Sequence, residues 1–330
     1  MKKCCLLATA LLVALFLPIS ASAEEAQTLR ITLQLPLKHH LGTNLQNFKQ
    51  EVEKESNGNL KVEIYPSAQL YKDKEVPEAV ASGAIEMGVV SVPQFAGTIP
   101  AIDIFYVPFV FDTPEKIQKA TAPGSAIRSE LDAAILKTGT RVLWWQAYGS
   151  SIILTKDKPV RLPGDLKGMK IRVYGKTLGD MATTLGAAPT MLSGSQQFMA
   201  YQRGTVDAGM TGITPVKSRK LYEVMDNMTL TYNADIEFVV IINEQLWQKL
   251  SDTQKAIITK SARRVEKELR EKVGQIEKAD LAFVKTKMNV ISLTSEERSL
   301  WRKATAPVIE SYIQRTGDLG KKLIDEAAKL

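Results

Sequence analysis

The chain has 330 residues, which is enough for roughly two domains of ordinary size and a substantial apolar core. Its formal net charge is +7, and no cluster of basic residues alternates with aromatic ones, which argues against nucleic acid as a partner. A mild positive charge would instead help to gather anions.

The first 23 residues have the pattern of a secretory signal peptide rather than of a folded segment. Two lysines form a charged start, Leu6–Leu17 is an apolar run too short for a spanning helix, and Ala21–Ala23 is an A-x-A cleavage site. Both cysteines of the chain fall inside this segment. The sequence therefore predicts a periplasmic protein that starts near Glu24, without a disulfide, a thiol nucleophile or a thiolate metal site.

Strands alternate with helices in the N-terminal third of the chain. Alternating apolar residues predict strands at Leu29–Leu35, Leu60–Tyr65 and Ala84–Val90, and helical spacing predicts a helix after each of the first two. This order is typical of α/β proteins with largely parallel strands, which bind ligands beyond the carboxyl ends of the strands. The loops expected near any site are 34–40, 91–95 and 104–111.

The central and C-terminal parts continue this construction. Strands are predicted at Arg141–Tyr148, Ser151–Thr155, Met169–Val173 and Ile236–Ile242, and Gly204–Gly209 is predicted to be a turn that leads into a strand. From Ser251, which forms a capping box with Gln254, an apolar stripe at helical spacing runs to Phe283. This stripe indicates either one long helix that spans two domains or two consecutive helices.

Arg172 lies inside the strand Met169–Val173. Side chains alternate faces along a strand, so Arg172 takes the face opposite to that of Ile171 and Val173. A partly desolvated guanidinium suits a carboxylate, because its five donors form a fixed fork. The local sequence leaves two interpretations. Arg172 either clamps the carboxylate of a small organic acid or forms an ion pair with a neighbouring Asp or Glu.

Nine short motifs occur in a specific order and spacing along the mature chain. They are Ser56–Asn59, Val62–Pro66, Ala68–Leu70, Gly83–Met87, Val107–Phe109, Asp165–Arg172, Leu185–Pro189, Gln202–Asp207 and Ile242–Asn243. Together they resemble the solute-binding proteins of TRAP transporters, of the C4-dicarboxylate-binding-protein type. The resemblance implies a two-lobed α/β periplasmic binding protein with a ligand cleft between the lobes. It also implies a long helix spanning both lobes, no catalysis and delivery to a membrane permease of small and large subunits.

The resemblance also implies lobe boundaries and a binding role for Arg172. After the signal peptide at 1–23, the first lobe is expected to comprise 24–148 plus 236–277, and the second lobe 149–235 plus 278–330. Arg172 falls on the carboxylate-binding arginine of the family, which favours the clamp over an ordinary ion pair.

Nine further residues are candidates for contact with the ligand. Alignment with the family suggests Gln34, Asp73, Ser91 and Thr211. Position at strand ends or in the expected cleft loops suggests His40, Phe109, Trp145, Tyr148 and Met191. Alternatives remain for some of them: both histidines could be solvated loop residues, and the tryptophans of 144–145 could face opposite sides of a strand instead of forming a pocket wall with Tyr148.

Three departures from the family narrow the ligand. Sialic-acid binders have a second arginine where this chain has Ile152 and an aromatic residue where it has Gly194, so sialic acid is not expected. Met210 stands where some members have a cation-binding glutamate, so no metal or cofactor is expected. Because Gly194 leaves room, the predicted ligand is an acid with an apolar or aromatic body, a short dicarboxylate or a keto acid.

Three functions were weighed against these residues. A receptor of this kind would be a monomeric binding protein that serves a TRAP permease. A periplasmic hydrolase or isomerase of organic acids would need a positioned base or nucleophile, and no such arrangement is evident in the sequence. The same fold could instead feed a sensory system. The sequence favours the receptor.

Overall fold

A computed structural model describes residues 26–330, so the predicted signal peptide lies outside the described residues. Its strands are β1 (Gln27–Thr32), β2 (Leu60–Tyr65), β3 (Met87–Ser91), β4 (Thr140–Thr155), β5 (Lys170–Val173), β6 (Ala188–Met191), β7 (Ala208–Gly212), β8 (Asn227–Leu230), β9 (Asp235–Asn243) and β10 (Asn289–Ser292). Its helices are α1 (His40–Glu55), α2 (Val76–Ala81), α3 (Pro114–Thr121), α4 (Ala126–Leu136), α5 (Lys176–Thr184), α6 (Gln197–Gln202), α7 (Ile213–Ser218), α8 (Glu244–Lys249), α9 (Asp252–Val284), α10 (Ser295–Thr305) and α11 (Pro307–Ala327).

The strands form a continuous mixed sheet in the order β2-β1-β3-β9-β4-β7-β5-β6, with β8 pairing β4 and β10 pairing β8. In the first lobe, β1 pairs in parallel with β2 and β3. In the second lobe, β5 pairs in parallel with β6 and β7. The antiparallel strands β4 and β9 lie between these two groups. The α/β architecture predicted from the order of the elements is confirmed.

A single strand of 16 residues, β4, connects the two lobes. Its first part, Thr140–Ser150, pairs with β9, whereas Ser151–Thr155 pairs with β7. The sequence predicted two strands here, which is wrong. The pairing register shifts between Ala147 and Gly149, and Gly149 has a φ of +113°. A bulge with a glycine bends the strand without ending it, which explains why the pattern resembled two strands.

The long apolar stripe forms one helix, α9, of 33 residues. It begins at the predicted capping box, in which Ser251 Oγ accepts from the Gln254 N–H and Gln254 Oε1 accepts from the Ser251 N–H. At 1.5 Å per residue the helix is about 50 Å long. It packs on α1 of the first lobe and on α7 of the second lobe. The alternative of two consecutive helices is therefore excluded.

The C-terminal helices complete the molecule. A second capping box, between Thr294 and Glu297, starts α10, and Pro307 lies at the start of α11. Helix α11 packs against both the segment Pro100–Tyr106 and α5, so it contacts both lobes. Within the described residues, no helix combines the length and the apolar character needed to cross a membrane.

Candidate ligand-binding site

A small cavity lies between the two lobes. Its lining residues are Gln34, Asp73, Ser91, Tyr148, Arg172, Tyr174, Gly194, Gln197, Thr211, Arg219, Ile236 and Phe238. Six of them were predicted from the sequence: Gln34, Asp73, Ser91, Tyr148, Arg172 and Thr211. The structure therefore brings together side chains that are up to 177 positions apart in the chain, between Gln34 and Thr211.

The guanidinium of Arg172 is fixed by backbone carbonyls rather than by an acidic side chain. Its Nε donates to the carbonyl of Leu192 at 2.9 Å and its Nη1 donates to that of Met210 at 2.7 Å. The residue is 3 % exposed, and its Cζ lies 4.7 Å from the centre of the Tyr174 ring. No Asp or Glu oxygen of the described residues lies within 4.0 Å of it, so the ordinary ion pair considered from the sequence is absent there. Its Nη2 is left for another partner.

Asp73 and Ser91 form a buried pair on the first-lobe side of the cavity. The N–H of Ser91 donates to Asp73 Oδ1 at 3.1 Å, and the Ser91 hydroxyl donates to Oδ2 at 2.5 Å. Burial raises the pKa of Asp73 to about 6, although the Ser91 hydrogen bonds and the charges of Arg172 and Arg219 act in the opposite direction. Asp73 is therefore a carboxyl group that can change its charge near neutral pH.

A second arginine, Arg219, follows the end of α7 and lines the cavity. Its Nη2 donates to the backbone carbonyl of Gln34 at 3.3 Å and to Gln34 Oε1 at 3.2 Å, so it links the second lobe to the first. Burial lowers the pKa of Arg219, and the nearby charge of Arg172 lowers it as well. Sequence analysis missed this residue because Lys217–Lys220 looks like the solvated, basic end of a helix.

Gly194 is the residue that makes room for Arg219. A Cβ atom built on Gly194 would lie 2.4 Å from Arg219 Nη1 and 2.5 Å from Gln34 Oε1. Sequence analysis assigned this space to the body of the ligand, but Arg219 and Gln34 take it up. The resemblance to sialic-acid binders, which are expected to have an aromatic residue at this position, was the signal in the sequence that Gly194 leaves space for another side chain.

Aromatic and apolar residues form another part of the cavity wall. The rings of Tyr148 and Phe238 stack with centres 5.0 Å apart, and Ile236 lies on the same strand as Phe238. Tyr174 directly follows β5, the strand of Arg172, and its hydroxyl donates to Ser151 Oγ at 3.3 Å. These wall residues, apart from Tyr148, were missed because nothing in a buried strand of apolar residues distinguishes a cavity wall from core.

Four predicted residues lie away from this cavity. Both tryptophans are fully buried in the core, where Trp145 donates to Asp132 and packs edge-to-face on Phe105. Met191 is 56 % exposed at the end of β6. Phe109 lies in another groove, under the guanidinium of Arg302. Binding roles for Trp145, Met191, His40 and Phe109 stay predictions without support from the cavity.

The histidines are buried, so the alternative of solvated loop residues is wrong. His39 and His40 are 2 % and 9 % exposed, and their ring centres are 4.0 Å apart. His39 Nε2 lies 2.9 Å from Thr214 Oγ1 in the second lobe, and His40 Nε2 lies 3.2 Å from the carbonyl of Ala147. Among residues 26–330, no group of three His, Cys, Asp or Glu side chains has the arrangement of a metal site.

Known proteins match the chain along nearly its whole length. The model of the family described as bacterial extracellular solute-binding protein, family 7, matches residues 33–316. The C4-dicarboxylate-binding periplasmic protein DctP of Rhodobacter capsulatus is 30% identical over 84% of this chain and 83% of its own length. The sialic acid-binding periplasmic protein SiaP of Vibrio cholerae is 27% identical over 96% of this chain and 97% of its own.

Solved structures agree with these sequence matches. A TRAP periplasmic solute-binding protein from Polaromonas, bound to D-erythronate, is 26% identical, with a TM-score of 0.85. The match covers 91% of this chain and 98% of that protein. The two-lobed architecture around the cavity is therefore one that is known in crystals with a small acid bound.

Proposed function

The chain belongs to family 7 of the bacterial extracellular solute-binding proteins, and from this premise we propose that it is a periplasmic receptor that captures a small organic acid for a TRAP-type membrane permease. It is a binding protein rather than an enzyme. The names of DctP and of the erythronate-bound protein support an acid as the ligand. In the proposal, the receptor is a monomer released by signal-peptide cleavage, and its permease has a small and a large subunit.

Arg172 is the residue that holds the carboxylate of the ligand. The observation that carries this assignment is a guanidinium that is 97 % buried, fixed by two backbone carbonyls and left without a carboxylate within 4.0 Å among the described residues. An unpaired buried charge is costly, and the ligand carboxylate would provide the missing partner in a charge-assisted, forked hydrogen bond. Because both anchoring carbonyls lie on the second lobe, the acid group is held there.

Closure of the lobes follows from the same contacts. In the proposal, residues 24–148 plus 236–277 form the first lobe and residues 149–235 plus 278–330 form the second. A ligand bound to Arg172 also faces Gln34, Asp73 and Ser91 of the first lobe, so it stabilises the closed form relative to the open one.

Replacing Arg172 by alanine tests the proposal. A thermal-shift screen of an organic-acid library first identifies the ligands, and titration calorimetry then compares the variants. We expect Arg172→Ala to reduce the affinity by about 2–5 kcal/mol, because it removes one partner of a buried charge pair. Arg203→Ala, which removes an exposed arginine of the same lobe, is the matched control and should bind normally. Near-normal affinity of Arg172→Ala would exclude the assigned role.

A further inference from the structure

Two guanidinium groups face one small cavity that contains a single acidic side chain. Arg172 and Arg219 both line it, and each perturbs the pKa of Asp73. Within the described residues, neither arginine has an Asp or Glu oxygen within 4.0 Å. With Asp73 charged, the cavity carries an excess of one positive charge, and with Asp73 protonated it carries an excess of two. Arg172 is buried and Arg219 is partly buried, and charges withdrawn from solvent in this way favour a counter-charge beside them.

The two arginines are fixed from different sides. The Arg172 guanidinium is held by the carbonyls of Leu192 and Met210, both in the second lobe. The Arg219 guanidinium is held by the backbone and side chain of Gln34, in the first lobe. These bonds leave Nη2 of Arg172, and Nε and Nη1 of Arg219, without a hydrogen-bond partner among residues 26–330. The cavity therefore offers two separately anchored sets of free donors.

The space around Arg219 is formed for it. The Arg219 guanidinium lies so close to Gly194 that even the methyl group of an alanine at position 194 would clash with Nη1. A side chain at position 194 would displace the guanidinium from Gln34. The combination of Gly194, Gln34 and Arg219 is thus a built feature of the site and not a surface arginine that happens to point inward.

We propose that Arg219 is the second anion-binding group of the site, and that it makes the receptor selective for small dianionic acids over monoanions of the same shape. This inference rests on the proposed function and goes beyond the single carboxylate assigned to Arg172. One carboxylate of the ligand binds Arg172, and the other anionic group binds the free donors of Arg219. A single carboxylate would leave one guanidinium unneutralised whenever Asp73 is protonated.

The test compares each linear dicarboxylate of three to six carbons with its own monoamide, which has nearly the same shape and one charge fewer. Titration calorimetry at pH 7.5 measures the affinity of each for the mature full-length receptor. We expect the receptor to bind at least one dicarboxylate about tenfold or more tightly than its monoamide. In Arg219→Gln we expect this preference to fall to about threefold or less, through loss of dicarboxylate affinity alone.

Two more variants separate charge from folding. Gly194→Ala keeps Arg219 but displaces its guanidinium, so it should reduce the same preference. Lys220→Gln removes an exposed positive charge from the adjacent residue and should leave the preference unchanged. Thermal unfolding of each variant checks that the fold is intact. If Arg219→Gln does not fold, the dicarboxylate preference of Gly194→Ala tests the role of Arg219 instead.

The outcomes are distinguishable from failure of the proposed function. Equal binding of dicarboxylates and monoamides, or equal weakening of both by Arg219→Gln, overturns the role of Arg219. If the receptor binds monocarboxylates but no dicarboxylate, the role of Arg219 is overturned as well. The proposed receptor function would stand in that case. If no organic acid binds the wild-type receptor, the proposed function itself fails.

Discussion

At the scale of single residues, the site is a balance of three charges. Arg172 and Arg219 are positive, and Asp73 opposes them only when it is ionised. Tyr148, Tyr174 and Tyr201 also interact with these charges, and because burial raises the pKa of each tyrosine they remain neutral. His39 faces Arg219 as well, and burial lowers the pKa of His39, so it is neutral too. A bound anion repels the ionised form of Asp73, and ligand binding is therefore coupled to the uptake of a proton by this residue.

This coupling predicts a pH dependence of affinity. The pKa of Asp73 is about 6 in the free receptor, and an anion beside it raises that pKa further. Protonation and anion binding favour each other, so affinity should rise as the pH falls. For a dicarboxylate we expect an increase of about tenfold between pH 8 and pH 6.5, where the ligand itself remains largely ionised.

Calorimetry in buffers of different ionisation enthalpy would measure the proton taken up. Asp73→Asn should bind the same dicarboxylate with an affinity that no longer depends on pH in this range. The Asn side chain can still accept from Ser91, which makes this variant a close structural match. Binding without proton uptake at pH 7 would contradict the coupling.

The residues of the site differ in how far the sequence revealed them. Arg172 could be predicted because an arginine between two apolar strand residues is unusual and because it lies in a recognisable motif. Arg219 could not, because its position in the cavity depends on a hydrogen bond to Gln34, which lies 185 positions away in the chain. Phe238 and Ile236 have the same apolar character as their core neighbours on β9, so only the position of the cavity distinguishes them.

At the scale of elements, the start of α1 depends on two neutral histidines. His39 is the N-cap residue: its Nδ1 accepts from the Leu41 N–H at 3.2 Å, while Nε2 contacts Thr214. Burial lowers the pKa of both histidines, and for His39 the charges of His40 and Arg219 add to this effect. Protonation of Nδ1 would remove the acceptor that caps the helix.

These histidines predict a loss of stability in mild acid. The pKa of His40 is about 4 in the folded protein and about 6.5 in the unfolded chain, so the unfolded chain binds the proton more tightly. The stability that the neutral form of His40 contributes is fully present above pH 6.5 and is lost as the pH falls towards 4. It amounts to about 3 kcal/mol at neutral pH.

Urea unfolding at a series of pH values can isolate this contribution. His40→Gln should lose less stability than the wild type between pH 6.5 and 4.5. The measured quantity is the difference in unfolding free energy between the two proteins at each pH. This difference is needed because burial raises the pKa of carboxyl groups such as Asp103 and Glu277, whose protonation stabilises the folded protein as the pH falls. Parallel pH profiles for the two proteins would exclude the histidine effect.

The attachment of α9 to the sheet rests on a buried ion pair. Arg270 of α9 donates through Nη2 to Glu237 of β9 at 2.9 Å, and Glu237 is fully buried. Arg270→Met should cost about 3–5 kcal/mol of unfolding free energy, because it leaves a buried carboxylate without its partner. Lys267→Met, which removes an exposed ion pair from the same helix, should change stability little. Chemical denaturation measures both, and similar values for the two variants would refute the structural role of the buried pair.

At the scale of the whole molecule, the described form is closed. His39 contacts Thr214, and Gln94 Nε2 donates to the carbonyl of Tyr174 at 3.2 Å, so residues on either side of the cavity are joined directly. In the proposed function, these contacts form as the lobes close on the ligand.

Small-angle X-ray scattering tests this motion. Addition of a saturating ligand found in the screen should decrease the radius of gyration of the wild-type receptor, because the ligand stabilises the closed form. Arg172→Ala at the same ligand concentration should remain in its ligand-free distribution. An unchanged scattering curve for the wild type, despite calorimetric binding, would show that capture does not involve closure.

The general architecture could be predicted from the sequence because periodicity and capping are local. The helical stripe of α9 and the capping box at its start followed from spacing alone. That one continuous strand, β4, connects the lobes could not be predicted, because a β-bulge and the end of a strand interrupt the alternating pattern in the same way. Only the pairing of β4 with β9 and β7 distinguishes the two cases.

That pairing has a consequence for how the chain folds. The first lobe needs β9, which is made after most of the second lobe, and both lobes need the one strand β4. Neither lobe is therefore a single contiguous segment of the chain, and a chain that ends before β9 lacks the strand between β3 and β4. The two halves of the receptor should consequently acquire their structure together, in one cooperative transition, and neither half should survive as a stable fragment after proteolysis.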